Sequence, residues 1–314
     1  MKKLSVIFAL CLLLTACSKP EANTNTAGNT NTANANAANA AGKTATANPT
    51  PSIDPNYQAT FPFKDFPLVE TTAKAGEVVL VPSYLWLQQA NVNGIDKTNM
   101  IWYSETMVTP GKEMSEVQFT NGDKKQVPNA YIVPIPAGQT ARTGDLVLTW
   151  WQSGSGMMRA IVVDGANPSE PVVRYLDLDY DNPAKGRDGQ TTIGQMDEKL
   201  KPNTFVKINN TFEPGTTVAV QDGARMKKFQ VIREAGDKLF LRGFAGYVSV
   251  FDKSRCTPVP LKPAVKEGDS VKGDWAGTFQ NGTVTKVDPK IGRVFIKFEV
   301  DGKERAVAFG DVMK

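Results

Sequence analysis

The residue types that most often perform chemistry in proteins are unevenly represented in this chain. Its 314 residues include 36 Lys and Arg, 32 Asp and Glu and 3 Cys, but no His. Without an imidazole, the chain cannot form a Ser-His-Asp triad, a Cys-His pair or an HExxH zinc site. A phosphate-binding glycine loop and a CxxC pair are also missing. Carboxylate pairs remain possible, because only the fold sets their separation. We expect no catalytic residues and no cofactor.

One group of acidic residues has a spacing suited to calcium. Asp177, Asp179 and Asp181 alternate, and Asp188 lies eleven residues after Asp177. Oxygen ligands at alternate positions with a carboxylate at the twelfth resemble the EF-hand loop. Asn182 stands where that loop needs glycine for its sharp turn. A strand with alternating exposed carboxylates that runs into a loop is therefore favoured over a metal site.

Aromatic residues are the candidate binding groups. Trp151, Tyr175, Trp275 and Phe298 lie in β-rich segments. Rings at the open ends of small barrels can stack on sugar rings or peptide side chains, although about half of them must be core. Several weak sites in one chain gain avidity for a polymer with repeating units.

The amino terminus has the pattern of an exported protein. Lys2 and Lys3 precede a short apolar run, which predicts a signal peptide over residues 1–16. The sequence Leu-Thr-Ala-Cys ending at Cys17 resembles the lipobox of bacterial lipoproteins. The resemblance implies cleavage before Cys17 and a lipid on its sulfur, which would anchor the chain to a membrane. Ser18 resembles the signal for the outer membrane, so we expect the cell envelope, and the outer membrane rather than the inner.

A segment of low complexity follows this anchor. Residues 22–52 consist almost entirely of Ala, Asn and Thr, which cannot build a core, and we expect a disordered linker over residues 17–65. Removal of the leader would leave Cys256 as the only thiol besides the lipidated one. We expect it to be buried, with an intermolecular disulfide as the alternative.

The remainder of the chain repeats one pattern. Four Gly-x-x-Val segments open alternating strands, and each is followed by two more β-rich runs; the glycines are Gly76, Gly144, Gly215 and Gly268. Helical periodicity is nearly absent, although the loop at 82–97 is long enough to hold an inserted element. The pattern predicts an all-β protein of tandem SH3-like barrels with about five strands each. We place the four units at 66–138, 139–210, 211–263 and 264–314.

The fourth unit resembles a known family. The stretch from Val271 to Val284, with 294–298, resembles the Tudor and agenet group of SH3-like barrels. The resemblance implies that Val271 opens the first strand, that Trp275 and Gly277 shape the first loop, and that Gly282 lets a strand bend closely. The other units match through the Gly-x-x-Val opening and the strand order only.

Tudor domains that read methylated side chains do so with an aromatic cage. Trp275 and Phe298 occupy cage-like positions, but Gln280, Asp301 and Lys303 stand at the others and are not aromatic. The two rings are therefore expected to be barrel core and rim. The formal charge falls from +4 to +2 when Lys2 and Lys3 are removed, which argues against a nucleic-acid binder.

Together these patterns predict a membrane-anchored envelope lipoprotein whose tandem barrels form a non-catalytic binding array for peptidoglycan or another envelope polymer. The alternative is a structural scaffold that binds another envelope protein through its Tudor-like barrels.

Overall fold

A computed structural model describes residues 54–180 and 196–314. Within these stretches the chain forms twenty strands, one α-helix and four short 3-10 turns. The first unit has the strands β1 (Val78–Pro82), β2 (Trp102–Thr109), β3 (Met114–Gln118), β4 (Lys124–Pro128) and β5 (Val133–Ile135). The second has β6 (Leu146–Trp150), β7 (Met157–Asp164), β8 (Val172–Tyr175), β9 (Asp197–Lys199) and β10 (Val206–Lys207).

The last two units have the same number of strands. The third has β11 (Thr217–Asp222), β12 (Arg225–Ala235), β13 (Lys238–Arg242), β14 (Val248–Asp252) and β15 (Cys256–Pro258). The fourth has β16 (Ser270–Trp275), β17 (Thr278–Asp288), β18 (Arg293–Phe298), β19 (Glu304–Ala308) and β20 (Val312–Met313).

All four units share one antiparallel topology. In each, the first strand pairs with the second and the fifth, the second with the third, and the third with the fourth. Consecutive strands therefore lie side by side, as short turns between them require. Most connections are indeed turns of a few residues, including those at Gly122 and Gly302, which have positive φ. The all-β fold of small five-stranded units is confirmed.

The four Gly-x-x-Val openings have one backbone conformation. Each glycine has a φ between 84° and 90°, which residues with a Cβ rarely adopt. Each N–H donates to a carbonyl of the second strand at 2.8 or 2.9 Å; the acceptors are Met107, Val162, Val231 and Val284. A β-bulge follows each of these acceptors directly. The sequence repeat thus corresponds to a repeated piece of backbone structure.

The long loop of the first unit contains the helix α1 (Tyr84–Asn93). The Ser83 hydroxyl accepts a hydrogen bond from the N–H of Trp86, which caps the first turn. The helix buries Tyr84, Leu87 and Ala90 at the spacing of one helical face. Its ten residues make fewer than three turns, so an apolar stripe of three turns could not have revealed it.

The segment that precedes the first barrel packs against the barrels from a lower residue number than the sequence predicted. The Phe61 ring lies 5.0 Å from the rings of both Tyr131 and Phe240, and Tyr57 lies 5.2 Å from Tyr84. The prediction of a disordered linker up to residue 65 is therefore wrong for its last part, because these aromatic residues bury apolar area against the first and third units. Residues 17–53 of that linker, including the Cys17 anchor, lie outside the described residues.

An ionic cluster centred on the buried Arg159 and Asp311 joins the second, third and fourth units, which belong to one compact body. We name Arg159, Asp177, Lys228, Asp274 and Asp311 the central ionic cluster. The Asp311 carboxylate accepts hydrogen bonds from Arg159 Nη2 and from Lys228 Nζ, both at 2.7 Å. Arg159 also pairs with Asp177, and Lys228 pairs with Asp274 at 2.9 Å. The Asp311 carboxylate thereby links its own stretch of chain to the stretches around Arg159 and Lys228.

The positive charges of Arg159 and Lys228 offset the free-energy cost of burying the Asp311 carboxylate. Burial alone would raise the pKa of Asp311, but the positive charges of Arg159 and Lys228 outweigh it and hold the pKa well below its usual range. The hydroxyl of Thr217 donates to the other oxygen of this carboxylate at 2.8 Å. A buried ion pair is stable only with such additional hydrogen bonds, so the cluster determines how the three units fit together.

Two further findings concern single predictions. Cys256 is buried, as predicted, and burial raises the pKa of its thiol to about 11. In the described part of the chain, no helix is long and apolar enough to cross a bilayer.

We expect Asp311→Asn to destabilise the protein strongly. The substitution leaves Arg159 and Lys228 without their shared counter-charge, and breaking a buried ion pair on one side costs about 3 kcal/mol or more. The measurement is the urea midpoint of unfolding, with Asp222→Asn as the matched control, since Asp222 pairs with Lys227 at an exposed site. Equal midpoints for the two variants would contradict the importance of the cluster.

Candidate functional site

A pocket of about 360 Å³ lies where the first and second units meet. The first unit supplies eight of the residues that line it and the second unit supplies one; they are Val78, Ser104, Glu105, Thr106, Gln118, Phe119, Thr120, Gly122 and Trp150. This volume suits a small ligand or the end of a larger one.

Local strand geometry places these residues. Glu105 lies in the middle of β2, opposite Val79 of β1. Thr120 stands in the turn between β3 and β4, where the Gly122 N–H donates to the carbonyl of Phe119 at 2.8 Å. Trp150 ends β6 and is half-buried. Regular strands and a tight turn therefore support both sides of the pocket.

Glu105 is the unusual residue of this site. Its side chain is 8% exposed, and its Oε2 accepts a hydrogen bond from the Thr120 hydroxyl at 3.1 Å. Burial raises the pKa of Glu105 to about 7, although the hydrogen bonds from Thr120 oppose the rise. No positive side chain takes part in setting that pKa. The carboxyl group therefore changes its charge near neutral pH.

The lining combines apolar and polar groups. The half-buried Trp150 provides aromatic surface, whereas the Phe119 ring is 7% exposed and belongs to the core. Three hydroxyl groups, one amide and one carboxyl group provide hydrogen bonds. Glu105 is the only carboxylate among the described residues that line the pocket, whereas hydrolysis of a glycosidic bond usually employs two. The arrangement suits binding of a polar group better than bond cleavage.

Two of the predicted aromatic binding residues lie in the core of the second unit. Trp151 is 8% exposed and packs so closely on Gly154 that a Cβ there would lie 2.3 Å from its ring. Tyr175 has no exposed area, and its hydroxyl hydrogen bonds with the Trp150 carbonyl and the Glu198 carboxylate. As placed, neither ring can stack on a ligand, and the binding role predicted for them is corrected to a role in the core.

The other two predicted residues lie beside a cation of the chain itself. The Arg305 guanidinium carbon lies 5.7 Å from the centre of the Trp275 ring and 6.0 Å from that of Phe298. Phe298 is 1% exposed and therefore also core, whereas Trp275 is half-buried. Arg305 thus takes the place over these rings that a ligand cation would need. Gly282 allows the expected close approach, because a Cβ there would lie 2.5 Å from Ile296.

The acidic segment is only partly described. Asp177 belongs to the central ionic cluster, so its carboxylate neutralises Arg159 and is not free to bind calcium. Asp181 and Asp188 lie outside the described residues. In the described stretches, no group of three or more Asp, Glu or Cys side chains is arranged to hold a metal ion.

The sequence analysis did not predict that Glu105 and Trp150 line one pocket. Glu105 alternates with Tyr103 and Met107 along β2, which places all three on one strand face. A carboxylate on the same face as two apolar residues was the signal available. The contribution of Trp150 had no signal, because nothing in the sequence indicates which units touch.

Comparison with known proteins adds little beyond partial likeness. No protein family model matches the sequence, and no curated protein matches it. The tandem Agenet domains 3-4 of ADCP1 align with 32% of this chain and 79% of that one, at 19% identity and a TM-score of 0.20. The AGD34 segment of AGDP1 from Arabidopsis thaliana aligns with 32% of this chain and 81% of its own, at 18% identity and a TM-score of 0.21. Likenesses at such TM-scores carry no argument about function.

We expect Glu105→Gln to remove a pH dependence of stability. Glutamate ionises at about pH 4.3 when unfolded but near pH 7 in this fold, so the wild type should lose stability as pH rises between these values. The glutamine variant avoids this loss and should gain roughly 3 kcal/mol on the wild type between pH 4 and pH 8. Denaturant titration at several pH values measures the difference, and parallel curves for the two proteins would refute it.

Proposed function

We propose that the protein is a lipid-anchored lipoprotein of the bacterial cell envelope whose barrels bind an envelope polymer, such as peptidoglycan, without catalysis. The pocket between the first and second units is the observation that carries this proposal. It is an open pocket lined by the Trp150 ring and five polar side chains, one of which is the buried Glu105. Such a combination is typical of ligand-binding sites.

The rigidity of the assembly supports a binding role. Trp150 reaches the pocket from the second unit, and the central ionic cluster fixes that unit to the third and fourth. Arg293 of β18 adds hydrogen bonds to the carbonyls of Tyr175 and Leu178 at 3.2 and 3.1 Å. The side of the pocket that the second unit supplies is thereby held in place, so less conformational entropy is lost there when a ligand binds.

The location of the protein is inferred from its amino terminus. The basic start, the short apolar run and the Leu-Thr-Ala-Cys sequence support lipidation of Cys17, and the linker after it would allow the barrels to reach a polymer away from the membrane. Peptidoglycan lies within such a reach.

We expect Cys17→Ala to release the protein from membranes, because the variant lacks the sulfur that carries the lipid. Membrane and soluble fractions of cells that express either form would be compared by immunoblot. A variant that stays in the membrane fraction to the same extent as the wild type would rule out the lipid anchor.

We expect Trp150→Ala to reduce binding to peptidoglycan sacculi by about tenfold, since it removes one side of the pocket. Co-sedimentation of the full-length protein, kept soluble in detergent, with purified sacculi measures this binding. Phe244→Ala is the matched control, because Phe244 is an exposed ring outside the pocket. Failure of the wild type to sediment with sacculi would contradict the proposed function.

The second candidate is a scaffold for another envelope protein. Phe244 is 64% exposed and Tyr247 is 43% exposed, and both belong to the segment between β13 and β14. Exposed rings of this kind are frequent in protein interfaces. This candidate gains support if cross-linking in cells recovers one partner protein with the wild type but not with Phe244→Ala.

A further inference from the structure

We propose that the pocket binds a positively charged amine of the polymer and that the Glu105 carboxylate is the counter-ion of that amine. This inference rests on the proposed function only in taking the pocket as the polymer-binding site. It names the chemical group that the pocket recognises.

Glu105 differs from Asp311, the other buried acidic residue of the described chain. Asp311 has both Arg159 and Lys228 as partners. Glu105 has only the uncharged Thr120 as a hydrogen-bonding side chain. An ionised carboxylate that is buried without a cation is costly, and an ammonium group placed in the pocket would remove most of that cost.

The rest of the lining fits an alkylammonium group. The half-buried Trp150 provides ring surface that attracts cations and packs on methylene groups. The hydroxyl groups of Ser104 and Thr106 and the amide oxygen of Gln118 can accept hydrogen bonds from the ammonium hydrogens that Glu105 leaves unpaired. A volume of about 360 Å³ holds one amino-terminated side chain.

The charge of the lining also disfavours an anionic ligand. It contains neither Lys nor Arg, and Val78 of β1, Gln118 and Phe119 of the β3 side and Trp150 of β6 have no titratable group. An anionic group would therefore meet Glu105 with no compensating cation. Peptide-bearing wall polymers carry free amines on their diamino acids, so they offer the group that this pocket fits.

The experiment compares binding of the full-length protein to untreated sacculi and to sacculi whose amines have been acetylated with acetic anhydride. Acetylation removes the positive charge but leaves the glycan strands intact. At pH 8 we expect acetylation to weaken binding of the wild type by about tenfold. Glu105→Gln should bind both kinds of sacculi equally weakly, while the exposed control Glu113→Gln should behave as the wild type does.

A pH series provides an independent readout. The amine of a diamino acid stays charged from pH 6 to pH 8, whereas Glu105 ionises within that range because burial raises its pKa to about 7. Binding of the wild type should therefore strengthen as pH rises, and binding of Glu105→Gln should not. Unchanged unfolding midpoints or higher ones at pH 8 would show that the variant is folded.

The outcomes separate the two proposals. If acetylated and untreated sacculi bind the wild type equally and Trp150→Ala binds neither, the pocket recognises the glycan, and the amine proposal is overturned while the proposed function stands. If the wild type binds no sacculi, the proposed function itself fails. Binding that weakens as pH rises would also overturn the amine proposal.

Discussion

The carboxylate of Asp311 is the point on which the arrangement of the last three units depends. It lies in the fourth unit, yet it neutralises Arg159 of the second unit and Lys228 of the third. Hydrophobic contact brings barrels together without specifying one orientation, because it is not directional. A buried charge tolerates few orientations, since each missing hydrogen bond costs free energy. The cluster therefore holds the last three units in one defined arrangement.

The same physical rule gives Glu105 its significance. Arg159 and Asp311 are buried as partners of each other, whereas Glu105 is buried with the uncharged Thr120 as its hydrogen-bonding residue. Proteins pair their buried charges or place them where a ligand completes the set, and strongly shifted pKa values concentrate at functional sites for that reason. Because Glu105 shares a pocket with the half-buried Trp150 ring, it is the residue most directly tied to the proposed function.

The aromatic residues show that a sequence repeat predicts strands but not the orientation of individual side chains. The barrel strands were predicted well, since alternation and glycine turns are local signals, and Gly76, Gly144, Gly215 and Gly268 have one conformation in the structure. Ring orientation is not local. Trp150 and Trp151 are adjacent, so they point to opposite faces of the chain, and only packing decided that Trp150 lines the pocket while Trp151 fills the core.

The sequence by itself determined the all-β class, the four repeated openings, the burial of Cys256 and the absence of histidine chemistry, because composition and short-range spacing carry these properties. Tertiary structure alone decided three features. The segment around Phe61 packs on the barrels, Asp177 forms an ion pair with Arg159, and Glu105 and Trp150 line the same pocket. These contacts join residues far apart in the chain. Their free energy comes from burial and charge pairing in three dimensions, for which no spacing along the sequence provides a measure.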